Sequence, residues 1–184
     1  MIDQLIEAAF AKTAALWGDD LDPATAAMRP RLSPPESFGP DIPTLAPGVH
    51  RPCSPMLKAR FETCGRWITA THGHWLSAAD LRTLWSEAET AADPFLAAVQ
   101  DSQVAGMENW PNEASSLFRP DRLTLFAASD YTYEKVYMLW LDFEDEPEVW
   151  AYDANGESRY KDLKTYLQAY LADDIRAAEI GWRA

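Results

Sequence analysis

The segment from residue 122 to residue 172 constrains the fold more than any other part of this chain. It contains three short apolar runs separated by turn-forming residues, and these runs span residues 123–127, 136–143 and 149–152. Short apolar runs bounded by turn residues are typical of β-strands. The second run is apolar on both faces, as expected of a central strand. The segment therefore predicts a small sheet.

Helical periodicity appears at both ends of the chain. Apolar residues recur at helical spacing over residues 160–175, directly after an Asn155-Gly156 dipeptide that favours a tight turn. Residues 2–17 also have an apolar face, and Gly18 ends that pattern as a helix C-cap would. The predicted fold class is α+β, with a small antiparallel or mixed sheet flanked by helices.

Three further helices are expected in the middle of the chain. Residues 56–67 place apolar side chains near one face. Ser77, with Asp80 three residues later, matches an N-terminal capping pattern. Pro94 is expected to begin a helix, because proline at the first turn lacks a donor that the helix does not need there. That helix should end near Gly106.

Residues 23–55 form a proline-rich arm that holds nine of the thirteen prolines. Proline fixes φ and removes a backbone donor, so neither a long helix nor a central strand is expected there. The arm is either an ordered wrap over the surface or a mobile segment, and it overlaps the only stretch with excess positive charge. Its candidate anchors are Leu32, Phe38, Ile42, Leu45 and Val49.

The composition narrows the possible partners and the compartment. The net charge is −13, which disfavours direct binding to nucleic acid or to an anionic membrane surface and favours a basic partner. Asp3 and Glu7 lie where a signal peptide carries positive charge, and no apolar run has membrane-spanning length. Two cysteines are too few for a disulfide scaffold, so a cytoplasmic protein is expected.

No common catalytic motif occurs, and we expect neither an enzyme nor a cofactor. The chain lacks GxSxG, a Gly-rich phosphate loop, HExxH and CxxC. One cluster in the sequence leaves a metal site open, because all of the imidazoles and thiols lie in one stretch. They are His50, Cys53, Cys64, His72 and His74. Their spacing is wider than that of usual zinc ligands, so no metal residue is assigned.

Two charged loops are the candidate partner-binding residues. The first is the turn with Asp130, Tyr131, Tyr133 and Glu134, and the second is the carboxylate block with Asp142, Glu144, Asp145, Glu146 and Glu148. The block lacks the glycine of a calcium loop, and a solvated turn between strands is the alternative interpretation. Exposed aromatic residues often anchor interfaces, so Trp110 is a further candidate.

The order of these segments resembles the SUKH superfamily of Smi/Knr-like domains over about residues 56–172. The resemblance is carried by MLKARFETCGRWITATHGHWLSAADLRTL, LTLFAASD, KVYMLWLDF, PEVWAYD and YKDLKTYLQAYL in that order. It implies a non-enzymatic α+β domain with no shared catalytic residues. The chain is then one domain, with an N-terminal helix in 1–22, the arm in 23–55 and a SUKH-like core in 56–184.

Many domains of that superfamily are immunity proteins of bacterial polymorphic toxin systems. The resemblance therefore implies an intracellular protein that binds a cognate toxin, with a basic cleft, and occludes its active site. A scaffold or regulatory interaction module is the alternative. A small enzyme or metal protein that uses His50, His72 and His74 is a third hypothesis.

Overall fold

The computed structural model describes residues 1–18, 25–84, 86, 92–107, 118–132, 134–154 and 156–178. These residues form the α+β architecture that the sequence predicts. The helices are α1 (Ile2–Trp17), α2 (Pro55–Thr63), α3 (Ala78–Thr83), α4 (Pro94–Met107) and α5 (Leu163–Ala172). The strands are β1 (Arg31–Leu32), β2 (Asp41–Pro43), β3 (His50–Pro52), β4 (Trp67–Ile68), β5 (His74–Trp75), β6 (Leu123–Ala128), β7 (Lys135–Leu139), β8 (Glu148–Asp153) and β9 (Gly156–Tyr160).

Seven of these strands form one sheet in the order β1-β4-β5-β6-β7-β8-β9, and β2 pairs with β3 separately. Every pairing between the described strands is antiparallel. All residues of β6 and β7 are buried, which confirms a central position for the second apolar run. That strand is shorter than predicted, since it ends at Leu139 and residues 140–147 form the connection to β8.

The two terminal helices pack against each other. Helix α1 buries Ile2, Ile6 and Ala9 on the face that contacts α5 and α2. It ends where predicted, because Gly18 adopts a φ of 61° and its N–H donates to the carbonyl of Ala15. Helix α5 ends at Asp173, which also has a left-handed φ of 52°.

The proline-rich arm is an ordered wrap over its described residues, 25–55. It supplies the edge strand β1 and the β2–β3 pair. Ile42 and Leu45 are buried as predicted, whereas the prediction for Val49 was wrong because that side chain is 38% exposed. Arg51 ties the arm to the sheet, since its Nε donates to the Asp121 carbonyl at 3.0 Å and its Nη1 lies 3.7 Å from Asp142 Oδ1.

The capping pattern at Ser77 is confirmed by reciprocal hydrogen bonds. The Asp80 N–H donates to Ser77 Oγ at 3.0 Å, and the Ser77 N–H donates to Asp80 Oδ2 at 2.8 Å. Helix α2 stops four residues earlier than the pattern over 56–67 predicts, and Trp67 starts β4 instead. Among the described residues, no helix has both the length and the apolar character needed to span a membrane.

Candidate functional site

The connection between β7 and β8 presents an exposed aromatic ring among carboxylates. We call residues 142–146 the acidic loop. The side chain of Phe143 is 99% exposed, and Asp142, Glu144 and Asp145 around it are exposed as well. In the part of the chain that the structure describes, the carboxylates of Glu144 and Asp145 make no hydrogen bond or ion pair. An apolar ring with unpaired carboxylates beside it is suited to contact with a basic partner.

The acidic loop is fixed at both ends by the surrounding fold. At its start, Asp142 Oδ2 accepts a hydrogen bond from Arg122 Nη2 at 2.8 Å. At its end, Glu146 Oε1 accepts from the Met56 N–H at 2.9 Å, in the first turn of α2 where backbone N–H groups lack partners within the helix. Burial raises the pKa of Glu146. The acidic loop is therefore held by hydrogen bonds at both of its ends, on either side of Phe143.

A groove of about 490 Å³ lies beside the acidic loop, between the arm and the end of β7. Cys53 and Ser54 line one side, while Trp140, Glu144 and Asp145 line the other. Trp140 is held in place because its Nε1 donates to Thr124 Oγ1 at 3.1 Å. Burial raises the pKa of the Cys53 thiol, so the sulfur lines the groove in its protonated, unreactive form.

Glu148 was expected in the exposed carboxylate block, and the structure corrects this expectation. The side chain is buried in β8, and its carboxylate accepts from Arg159 Nε at 2.7 Å and Arg159 Nη2 at 3.2 Å. Trp150 Nε1 also donates to Glu148 Oε2, at 3.2 Å. Glu148 therefore holds β8 to β9 and is not available to a partner.

The second candidate turn lies at the other end of the sheet. Residues 129–134 connect β6 to β7, whereas the acidic loop leaves β7 at its far end. The five residues of β7 alone separate the two by roughly 14 Å at 3.4 Å per residue. The described residues of the two candidate loops therefore lie at opposite ends of β7.

The carboxylates of that turn are engaged with the β4–β5 hairpin. Glu134 Oε2 accepts from the Gly73 N–H at 3.2 Å, and Asp130 Oδ1 lies 3.0 Å from His74 Nε2. Because His74 Nδ1 accepts from the Thr69 N–H, Nε2 carries the ring proton and donates to Asp130. Both carboxylates thus have structural roles.

Tyr131 is an exposed aromatic residue in this second turn. Its side chain is 86% exposed, and its N–H donates to Ser129 Oγ at 3.0 Å. Tyr133 and Trp110, the other aromatic candidates, lie outside the described residues. Tyr131 therefore offers a matched comparison for Phe143, as an exposed aromatic residue at the opposite end of the sheet.

The imidazoles and thiols that left a metal site open lie in separate places. Cys64 is fully buried at the end of α2, and His50 lies on β3, outside the main sheet. His72 Nδ1 is bonded to the Tyr166 hydroxyl at 2.6 Å. Within the described part of the chain, no group of three or more His, Cys, Asp or Glu side chains is arranged to hold a metal ion.

We expect His72 to make the fold less stable in acid. Burial lowers the pKa of His72 below its ordinary 6.5, although the nearby Asp153 and Glu134 act in the opposite direction. Below pH 6.5 the unfolded chain therefore binds more protons at this residue than the folded chain, so the free energy of unfolding falls on acidification. Urea unfolding at about pH 7.5 and about pH 5.5, on either side of the ordinary pKa, should show a smaller acid-dependent loss of unfolding free energy for His72→Gln than for the wild type. An identical pH dependence in both proteins contradicts this prediction.

Two features of the site were not predicted from the sequence. Phe143 was placed in a strand because the apolar run over 136–141 was extended across Asp142 to include it. The groove was missed because it is formed by residues 51–55 together with 140–142 and 144–145, which are distant in the sequence. The only signal for Phe143 was its position between two carboxylates, a pattern that is unfavourable inside a sheet.

Comparison with known proteins gave no match: no family model, no curated protein and no solved structure corresponds to this chain. The functional argument therefore depends on the residues and their geometry.

Proposed function

We propose that this chain is a protein-binding module whose partner docks on the acidic loop and the adjoining groove. The observation that carries the proposal is Phe143, a fully exposed aromatic ring on a fixed loop, flanked by exposed carboxylates. Aromatic residues of this kind are frequent energetic centres of interfaces, and the carboxylates would speed association with a basic surface.

The partner that fits best is a bacterial toxin domain with a basic active-site cleft. Clefts that act on nucleic acids or nucleotides are basic, and the chain has a net charge of −13. Together with the SUKH-like order of elements, this supports an immunity protein that acts in the cytoplasm by covering the toxin's active site, without chemistry of its own. A scaffold module that uses the same loop for another protein is the alternative.

We expect Phe143→Ala to weaken toxin binding about 30-fold, which corresponds to about 2 kcal/mol for an interface hot spot. The partner to test is a toxin domain encoded beside this gene, with affinity measured by isothermal titration calorimetry. Because the ring is exposed, its removal should leave the fold unchanged. The matched control is Tyr131→Ala, at the opposite end of the sheet, which should bind like the wild type.

A charge-reversal variant tests the electrostatic part separately. Glu144→Lys with Asp145→Lys should slow association and reduce its dependence on salt, because both carboxylates are exposed. Glu146 is left intact, since it accepts a hydrogen bond from the first turn of α2. Equal affinity and salt dependence in all variants would exclude this surface, whereas binding only to a protein other than a toxin would favour the scaffold alternative.

A further inference from the structure

The β4–β5 hairpin is joined to α5 by a continuous chain of hydrogen bonds. Trp75 Nε1 donates to Thr71 Oγ1 at 3.0 Å, and Thr71 Oγ1 is bonded to the Tyr166 hydroxyl. The same hydroxyl is bonded to His72 Nδ1 at 2.6 Å, and His72 Nε2 lies 3.7 Å from Asp153 Oδ2 on β8. Because the Tyr166 side chain is buried, one hydroxyl group inside the protein links the hairpin to α5.

Only one direction of donation satisfies this chain when the His72 ring is neutral. A neutral imidazole has one N–H donor and one acceptor nitrogen. With the proton on Nδ1, the lone pair of Nε2 would face the Asp153 carboxylate, so we assign the proton to Nε2 and make Nδ1 the acceptor. The Tyr166 hydroxyl then donates to Nδ1, the Thr71 hydroxyl donates to the Tyr166 oxygen, and the Trp75 N–H donates to the Thr71 oxygen. Every donor in the chain thus has an acceptor.

A proton added to His72 reverses the direction of the chain. Both ring nitrogens are then donors, so the Tyr166 oxygen must accept from Nδ1 where its hydroxyl had donated. The Tyr166 hydroxyl turns to Thr71 Oγ1, which also accepts from Trp75, and the Thr71 proton loses the acceptor that it had. A polar group that loses its partner inside a protein costs free energy. The contact between the hairpin and α5 is therefore weaker when His72 is charged.

The charged groups around His72 come from several elements of the fold. Burial disfavours the charged ring and lowers its pKa, whereas Asp153 on β8 and Glu134 in the turn before β7 favour it. Further ionisable groups line the same cavity of about 230 Å³. They are Tyr160 on β9, and Tyr170, Asp173 and Asp174 on and after α5. Both of these aspartates are already paired with basic side chains, those of Lys12 and Arg176.

We infer that Thr71, His72 and Tyr166 form a pH-sensitive latch, which holds α5 to the β4–β5 hairpin near neutral pH and loosens in mild acid. The proton acts by reversing hydrogen bonds whose partners the structure shows. The Trp75 indole N–H lies at the end of the chain, so it senses the state of His72 through two intervening hydroxyl groups. None of these residues belongs to the acidic loop, so the latch is independent of partner docking.

Nuclear magnetic resonance of the isotope-labelled full chain tests the latch between about pH 8 and about pH 5. We expect neutral His72 to carry its proton on Nε2, and the Trp75 indole N–H resonance to shift with the same midpoint as the His72 ring. Tyr166→Phe keeps the aromatic ring and removes the hydroxyl, so the shift at Trp75 should be lost. The matched control is Tyr170→Phe on the same helix, which removes a hydroxyl bonded to Thr13 Oγ1 and should preserve the shift.

Three results would overturn the inference. They are a neutral His72 protonated on Nδ1, a Trp75 resonance that does not follow the His72 titration, and equal loss of the shift in both tyrosine variants. Circular dichroism establishes whether Tyr166→Phe is folded. If it is not, Thr71→Val interrupts the chain from the hairpin side, because valine has a similar shape and no hydroxyl, and the shift at Trp75 should again be lost.

Discussion

Replacing Glu148 with alanine is expected to lower the free energy of unfolding by about 3–5 kcal/mol. Glu148 and Arg159 are 6% and 5% exposed, and their two hydrogen bonds of 2.7 and 3.2 Å join neighbouring strands. Removal of the carboxylate leaves the Arg159 guanidinium in the interior without its anion. It also removes the acceptor of the Trp150 indole N–H. Urea unfolding monitored by tryptophan fluorescence measures the effect.

The comparison variants separate loss of the pair from loss of a charge. Glu144→Ala removes the same charge from an exposed position and should leave stability unchanged within error. The double variant Glu148→Met with Arg159→Met should be more stable than Glu148→Ala, because no unpaired charge remains buried. If Glu148→Ala and Glu144→Ala have equal stability, the buried pair does not contribute as the geometry indicates.

The local elements of this fold were predictable because short-range chemistry determines them. The capping box at Ser77 and Asp80 and the C-cap at Gly18 each require only residues within one helical turn. The strands of the last third follow from their apolar runs. The strand pairs β1–β4 and β4–β5 were not predictable, since strands of two residues form only where the rest of the fold places them.

The candidate site was predicted less well, and for a physical reason. The sequence shows that a segment is acidic, but it does not show which carboxylates a distant residue will neutralise. Among the carboxylates of residues 142–148, Glu148 forms an ion pair with Arg159 and Asp142 forms one with Arg122. Glu144 and Asp145 remain exposed. A pairing partner such as Arg159 is set by strand register, which depends on the tertiary structure.

Strand order also explains why the two candidate loops lie at opposite ends of the sheet. In an antiparallel meander, successive connections alternate between the two ends of the sheet. The connection before β7 and the connection after it must therefore lie on opposite sides. Once β6, β7 and β8 are known to be consecutive antiparallel neighbours, the separation of Tyr131 from Phe143 along the sheet follows.

The glycine at the tip of the β4–β5 hairpin gives the second large effect. Gly73→Ala is expected to lower the free energy of unfolding by about 2–4 kcal/mol, from a left-handed backbone and from overpacking together. Gly73 has a φ of 65°, and an added Cβ would lie 2.5 Å from the Ala128 carbonyl carbon and 2.6 Å from the Ser129 nitrogen. These are backbone atoms of the sheet, so they cannot move aside as a flexible side chain would.

Gly48→Ala is the matched control for this variant. Gly48 has a similar φ of 75°, but an added Cβ there meets no atom within 4 Å. It should therefore show only the conformational part, about 1 kcal/mol. Urea unfolding of both variants separates backbone strain from steric contact. Because Gly73 lies between His72 and His74, its substitution should also disturb the hydrogen bonds of both rings to Tyr166 and Asp130, which their NMR resonances would report. Equal losses in the two variants would show that the close approach of this hairpin to β6 is not a determinant of stability.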